Sequence, residues 1–134
     1  MQMMIKGIKK EFEESPYLQH LGIEILSFEE ENVEIKLNVE QHLLNRNGTI
    51  HGGVYASMMA LIQRMHLRSV TRTKCTAISS TVHFTAPIKT GAIHARASIV
   101  SRAYKTAFVD GILTDENGTL ISRGTGTYKI IRAE

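Results

Sequence analysis

Asn45-Arg46-Asn47-Gly48-Thr49-Ile50-His51-Gly52-Gly53 runs without a break into Val54-Tyr55-Ala56-Ser57-Met58-Met59-Ala60-Leu61-Ile62-Gln63-Arg64-Met65, and the reading of this junction decides the fold. A polar loop that opens straight into a long apolar segment predicts a buried helix over roughly His51 to Val70. The first N–H groups of a helix have no intrahelical acceptor, and the helix dipole favours negative charge beside them. Glycines at that point let a ligand approach the backbone closely. The junction is therefore built to receive an anion or a polarised carbonyl. From Val54 to Met65 there is no Asp or Glu, so the helix brings no carboxylate of its own to that chemistry.

Upstream, Met4, Ile8 and Phe12 recur at helical spacing within Met3 to Glu14, which predicts a short amphipathic helix broken at Ser15-Pro16, with a brief turn over Tyr17 to Leu21. The period then changes to two. Val33, Ile35, Leu37 and Val39 alternate with polar residues, and Ile23, Ile25 and Phe28 pair with them across Glu29 to Asn32 in a first hairpin. Gln41 to Gly48 reads as a loop.

Downstream of the central helix everything reads as strand. Val82, Phe84 and Ala86 share a face of a strand ending at Pro87; Ile93, Ala95, Ala97 and Ile99 share a face of the next. Tyr104 to Thr114 and Thr119 to Ile131 flank Asp115-Glu116-Asn117-Gly118, whose Asn-Gly pair tolerates positive φ and favours a tight turn. Gly124 and Gly126 share a face with Leu120, Tyr128 and Ile130, and small residues in that pattern predict an element crossing closely, the apolar helix being the natural one. The pattern is an α+β layout: one antiparallel sheet of about five to six strands curled around one long helix.

Bulk properties set the class. The 134 residues suit a single domain, 1–134, and 43% hydrophobic with 22% charged residues are values of a globular chain, not a disordered one. A net charge of +3 suits a polyanionic ligand, but the basic residues are scattered, which argues against nucleic acid as a partner. The single cysteine, Cys75, excludes an internal disulfide and a Cys-pair zinc site; the six histidines show no ligand spacing with acids, so no metal is expected. No run approaches the roughly 20 apolar residues that span a bilayer, and Met-Gln-Met-Met-Ile-Lys lacks the core of a signal peptide, so a cytoplasmic location with no membrane partner is expected.

The order of elements, the Asn45-x-x-Gly48-x-x-His51-Gly52-Gly53 loop, the strand closing in His83-Phe84-Thr85-Ala86-Pro87 and the C-terminal Gly124-Thr125-Gly126-Thr127 together resemble the hotdog fold, and within it the PaaI-like group of acyl-CoA thioesterases. The resemblance covers nearly the whole chain. It implies hydrolysis of an acyl-CoA thioester to free acid and CoA, with coenzyme A present only as part of the substrate, no separate cofactor, and a site shared between subunits of a homodimer or homotetramer. It implies that Gly52 or Gly53 donates to the oxyanion and that Asn45 positions substrate or water. It implies a carboxylate nine residues after the histidine, acting across the dimer as nucleophile or base; here that position is Ala60.

A methyl group can neither attack a carbonyl nor accept a proton. At 100° per residue Arg64 and Gln63 lie about 40° and 60° round the helix from Ala60, with Ser57 on the same broad face, and none is a conventional base. These three, together with His51 at the helix start and Arg102, Lys105 and Thr106 near a strand junction, are the expected substrate-binding residues. His66 lies about 240° round from Ala60 and cannot replace the acid. Three functions follow in order, the first two being an acyl-CoA thioesterase whose usual acid is missing and a disabled acyl-CoA binder or sensor. A purely structural homo-oligomer is the third.

Overall fold

The computed structural model describes residues 4–132. Helix α1 (Ile5–Glu13) buries Ile8 and Phe12, while Met4 lies outside the helix as its N-cap residue and is exposed. Ile5 packs on the core instead, so the apolar face begins one residue later than the spacing suggested. Met3 lies outside the described residues. Helix α2 (Pro16–Leu21) starts at a proline behind the Ser15 cap and ends at Gly22 in the left-handed conformation.

Strands β1 (Ile23–Glu29) and β2 (Asn32–Asn38) form the first hairpin, with Ile23 opposite Leu37, Ile25 opposite Ile35 and Phe28 opposite Val33. A 3₁₀ turn over Gln41–Leu43 and the Asn45 loop lead to α3 (Gly52–Thr71). Strands β3 (Cys75–Phe84), β4 (Ala92–Arg102), β5 (Thr106–Thr114) and β6 (Leu120–Ile130) complete a six-stranded antiparallel sheet in the order β1-β2-β4-β5-β6-β3. The α+β expectation holds. Strand β3 ends at Phe84, three residues before Pro87, because Thr85 and Ala86 turn their N–H groups to the Ile121 carbonyl.

The sheet packs on α3, and Met58, Met59, Ile62 and Met65 are fully buried beneath it. The approach is close where Gly111, Gly124 and Gly126 face the helix. A Cβ on Gly111 would stand 2.5 Å from the Met59 sulfur, and one on Gly124 would stand 3.0 Å from Met59 Cγ. Leu120 is not on that face: the register shifts near Leu113, Ser122 takes the inward position, and Leu120 is left 37% exposed.

His66 is buried, and its Nδ1 has no hydrogen-bond partner among the described residues. Burial lowers its pKa from the ordinary value of 6.5, against a weaker upward pull from Glu31. The unfolded chain therefore takes up a proton at this residue at a higher pH than the folded one, and stability falls as pH drops below about 6.5. Urea unfolding at pH 7.5 and 5.5 should show this loss in the parent chain and a smaller one in His66→Gln. An equal loss in both would assign it to other groups.

Candidate functional site

Helix α3 begins where the loop hands over to the glycines. His51, extended at φ −66 and ψ 137, is the N-cap, and its Nδ1 accepts the Gly53 N–H at 2.8 Å. This fixes the ring as the neutral tautomer with its proton on Nε2. It also engages the Gly53 N–H, which removes Gly53 as the oxyanion donor in this arrangement. The Gly52 N–H, at the first helical position, has no acceptor among the described residues, so of the two glycines it is the one open to a ligand.

Gly52 lines a cavity of about 350 Å³ with Ile50, Tyr55, Phe84, Thr85 and Ala86. The Phe84 ring lies over Gly52, 3.3 Å from where a Cβ would stand, and stacks on Tyr55 with centroids 6.0 Å apart. Tyr55 donates its hydroxyl to the Ala86 carbonyl at 2.9 Å, and burial pushes its pKa up to about 12. It is thus an anchored neutral wall and no base at ordinary pH. Tyr55 and Phe84 were not among the expected site residues; the sequence signal available was an aromatic one turn into the helix and another in the strand closing at Pro87.

Asn45 bonds within its own loop. Its Oδ1 accepts the N–H groups of Asn47 at 2.9 Å and Thr49 at 3.2 Å, and its Nδ2 donates to the Thr49 hydroxyl at 2.8 Å. The β5–β6 turn repeats the arrangement: Asp115 accepts from Asn117 and Thr119, both at 2.9 Å. The backbone bonds match too, with Gly48 at φ 80 and Gly118 at φ 83. Asn45 is a turn builder. These bonds of its amide shape the loop.

Gln63 faces the sheet. It is fully buried on the sheet side of α3, where Nε2 donates to the Gly124 carbonyl at 3.3 Å and Oε1 accepts the Tyr128 hydroxyl at 2.7 Å. It satisfies core polar groups in a fully buried position. Ala56, Ser57, Ala60 and Arg64, by contrast, form a half-buried stripe along α3. Ser57 shares a 2.6 Å hydrogen bond with the exposed Tyr17. Arg64 lies over the Phe12 ring, 5.8 Å from its centroid. Among the described residues no acid lines the Gly52 cavity.

Arg102, Lys105 and Thr106 are exposed around the β4–β5 turn. Thr106 is level with Lys129 and Cys75 with Ile130, whereas Gly52 lies beside Phe84. Within one chain these basic residues therefore stand at the end of the sheet opposite the open N–H, and the structure does not bring them together with it.

Among the described residues strand β3 pairs only with β6, and from Thr76 to Thr81 every residue is exposed. Its outer backbone edge and much of both faces are open.

The Thioesterase superfamily model matches residues 47–122, more than half of the chain and all of the segment from the Asn45 loop's tip through β5. The chain belongs to the thioesterase superfamily. It is similar to Ta0293, a candidate esterase of Thermoplasma acidophilum, with 27% identity over 128 residues that cover 95% of this chain and 97% of that protein. Its fold is the hotdog fold. It superposes on the PaaI protein from the phenylacetic acid degradation operon of E. coli with a TM-score of 0.88 at 19% identity, covering 96% of this chain and 93% of PaaI. Thioesterase HI1161 of Haemophilus influenzae gives a TM-score of 0.85 at 19% identity, over 98% of this chain and 93% of that one. Among the described residues of this superfamily member, no helix is long and apolar enough to cross a membrane.

Proposed function

We propose that this protein is a slow acyl-CoA thioesterase that relies on oxyanion stabilisation by the Gly52 N–H and lacks a built-in general base. The observation that carries the reading is the open Gly52 N–H at the start of a 20-residue helix, facing a cavity walled by Tyr55 and Phe84. Attack of water on a thioester places negative charge on the carbonyl oxygen, and a fixed N–H at a helix N-terminus meets that charge without reorganising. Hydroxide or water attacks unaided, the tetrahedral intermediate collapses, and the CoA thiolate leaves with the free acid as the other product. A site that retains its oxyanion donor and its binding contacts while lacking its base can still accelerate hydrolysis by about 10³-fold over water.

The same reading makes the working unit a homodimer joined along β3. A ten-residue edge strand with an unpaired backbone is a template for pairing with a second strand, and a second copy supplies an identical one. Pairing two β3 strands antiparallel sets each Gly52 end beside the partner's opposite end. In this reading Arg102 and Lys105 of the β4–β5 turn are the residues that would hold the CoA phosphates.

The test is release of free CoA thiol from a panel of acyl-CoA thioesters, run with direct binding measurements. Slow, saturable turnover is expected. Binding without any turnover across the panel would replace this reading with the second one, an acyl-CoA binder, which Ala60 favours. Absence of both would remove acyl-CoA as the ligand.

A further inference from the structure

Among the described residues, Glu31 in the β1–β2 turn and Arg72 at the end of α3 are the two non-glycine residues with positive φ, both at 58°. A side chain larger than hydrogen is disfavoured in that region, and such conformations persist only where their surroundings hold them. Here the two strained residues meet. The Glu31 N–H donates to the Ser69 hydroxyl oxygen at 3.1 Å, and Arg72 stands 3.6 Å from the Glu30 carboxylate. The Ser69 hydroxyl in turn donates to the His66 carbonyl at 2.6 Å. The hairpin tip is thus fastened to α3 by one hydrogen bond and one partly exposed ion pair, while the like charges of Glu29, Glu30 and Glu31 work against it.

His66 lies buried one helical turn before this fastening, with its Nδ1 unpartnered among the described residues. A neutral imidazole tolerates that position far better than a charged one. The groups around it offer an imidazolium little. Glu31 acts on His66 from the hairpin turn, more weakly than burial does. On α3 itself, Arg68 and Arg72 are turned to Glu11 and Glu30. The inward-facing Val33 of β2, Ile99 of β4 and Val109 of β5 carry no charge. Tyr128 of β6 and Cys75 of β3 are both kept protonated by burial, and Tyr128 donates to Gln63. A proton on His66 is therefore stabilised only when the ring reaches water or the Glu31 carboxylate, and both call for the turn to let go of Ser69.

We propose that the β1–β2 turn is an acid-released latch on the end of α3, closed while His66 is neutral and opened when His66 takes up a proton. Opening returns the ring to its ordinary value of 6.5, so the proton binds the open form in preference and draws it out as pH falls below that value. The strain at Glu31 and Arg72 is relieved in the same movement, which keeps the closed form only narrowly favoured. The device does not rest on the thioesterase reading.

Amide hydrogen exchange of the full chain, read by NMR at about pH 7.5 and 5.0 and corrected for the intrinsic exchange rate, tests this at the Glu31 N–H itself. Its protection is expected to stand below that of the β5 amides at both pH values and to fall about tenfold between them. The ceiling is about thirtyfold, because pH 5.0 lies about 1.5 units below the ordinary imidazole value. His66→Gln should abolish the fall. Glu31→Gln, at an exposed position, should keep it, since the proton goes to the imidazole. Protection equal to that of β5 would show that the turn opens only with the whole fold, and would overturn the proposal. So would a fall that survives in His66→Gln or vanishes in Glu31→Gln. If His66→Gln proves poorly folded, a pH series on the parent decides: the loss must begin near pH 6.5, and a flat profile removes the latch.

Discussion

Ala60→Asp is expected to raise the rate of acyl-CoA hydrolysis by about 10²-fold or more, because a positioned general base contributes roughly 10²–10⁴. Ala60 lies on the half-buried stripe of α3 between Ser57 and Arg64, so a carboxylate there has room and partial access to water. Eight residues separate it from Gly52, which is about 12 Å along the helix axis. It cannot reach a thioester carbonyl held at its own Gly52. The gain must therefore come across the dimer, and the rate per chain should fall on dilution below the dimer dissociation constant. Arg64, one turn further on, is spaced to pair with the new acid and keep it ionised. The exchange gives up alanine's helix propensity, costing about 0.5 kcal/mol, so a melting shift of a few degrees is expected. Turnover equal to that of the parent would show that the base lies elsewhere.

The path from sequence to fold was short where the pattern was local. Period-two alternation placed β1 against β2 in one hairpin, and the Gly124 and Gly126 pattern announced the close passage of α3. The helix limits came within a residue at each end, His51 serving as cap. Leu120 was misplaced because a register shift reverses facing without any mark in the alternation.

The site was less legible, and Gln63 shows why. It lies only about 60° round the helix from Ala60, yet Ala60 is half-buried on the open stripe and Gln63 is enclosed. Angles along one helix do not say where the sheet's cover ends. The glycines of β6 and the glutamine of α3 were read as separate features, but they are one contact: the absence of side chains at Gly124 and Gly126 makes the space in which Gln63 meets the Gly124 carbonyl and the Tyr128 hydroxyl. Asn45 was readable in principle. Asn-Arg-Asn-Gly-Thr at 45–49 and Asp-Glu-Asn-Gly-Thr at 115–119 carry the same turn chemistry, and only one of the two was assigned as a turn. The engaged Gly53 N–H depended on the His51 rotamer, which no periodicity encodes.

Gly52→Pro isolates the remaining donor, and it is expected to lower kcat by about 10²–10³, the usual cost of removing one oxyanion-hole N–H. Proline is tolerated at the first helical position because that N–H has no intrahelical role and the required φ is already helical. His51, at φ −66 and ψ 137, has the extended conformation that a following proline demands. The ring crowds Phe84, since even a Cβ on Gly52 would stand 3.3 Å from that side chain. Gly52→Ala makes the same first contact while retaining the N–H, so the ratio of the two variants separates hydrogen bonding from crowding. The comparison is best made in the Ala60→Asp background, where the higher rate leaves a measurable range below it. There the alanine variant should keep most of its turnover and the proline variant lose it, with both retaining the helical circular dichroism of the parent. Equal kcat in the two variants would mean that charge on the carbonyl oxygen is stabilised by some other donor, and the role assigned to the start of α3 would have to be withdrawn.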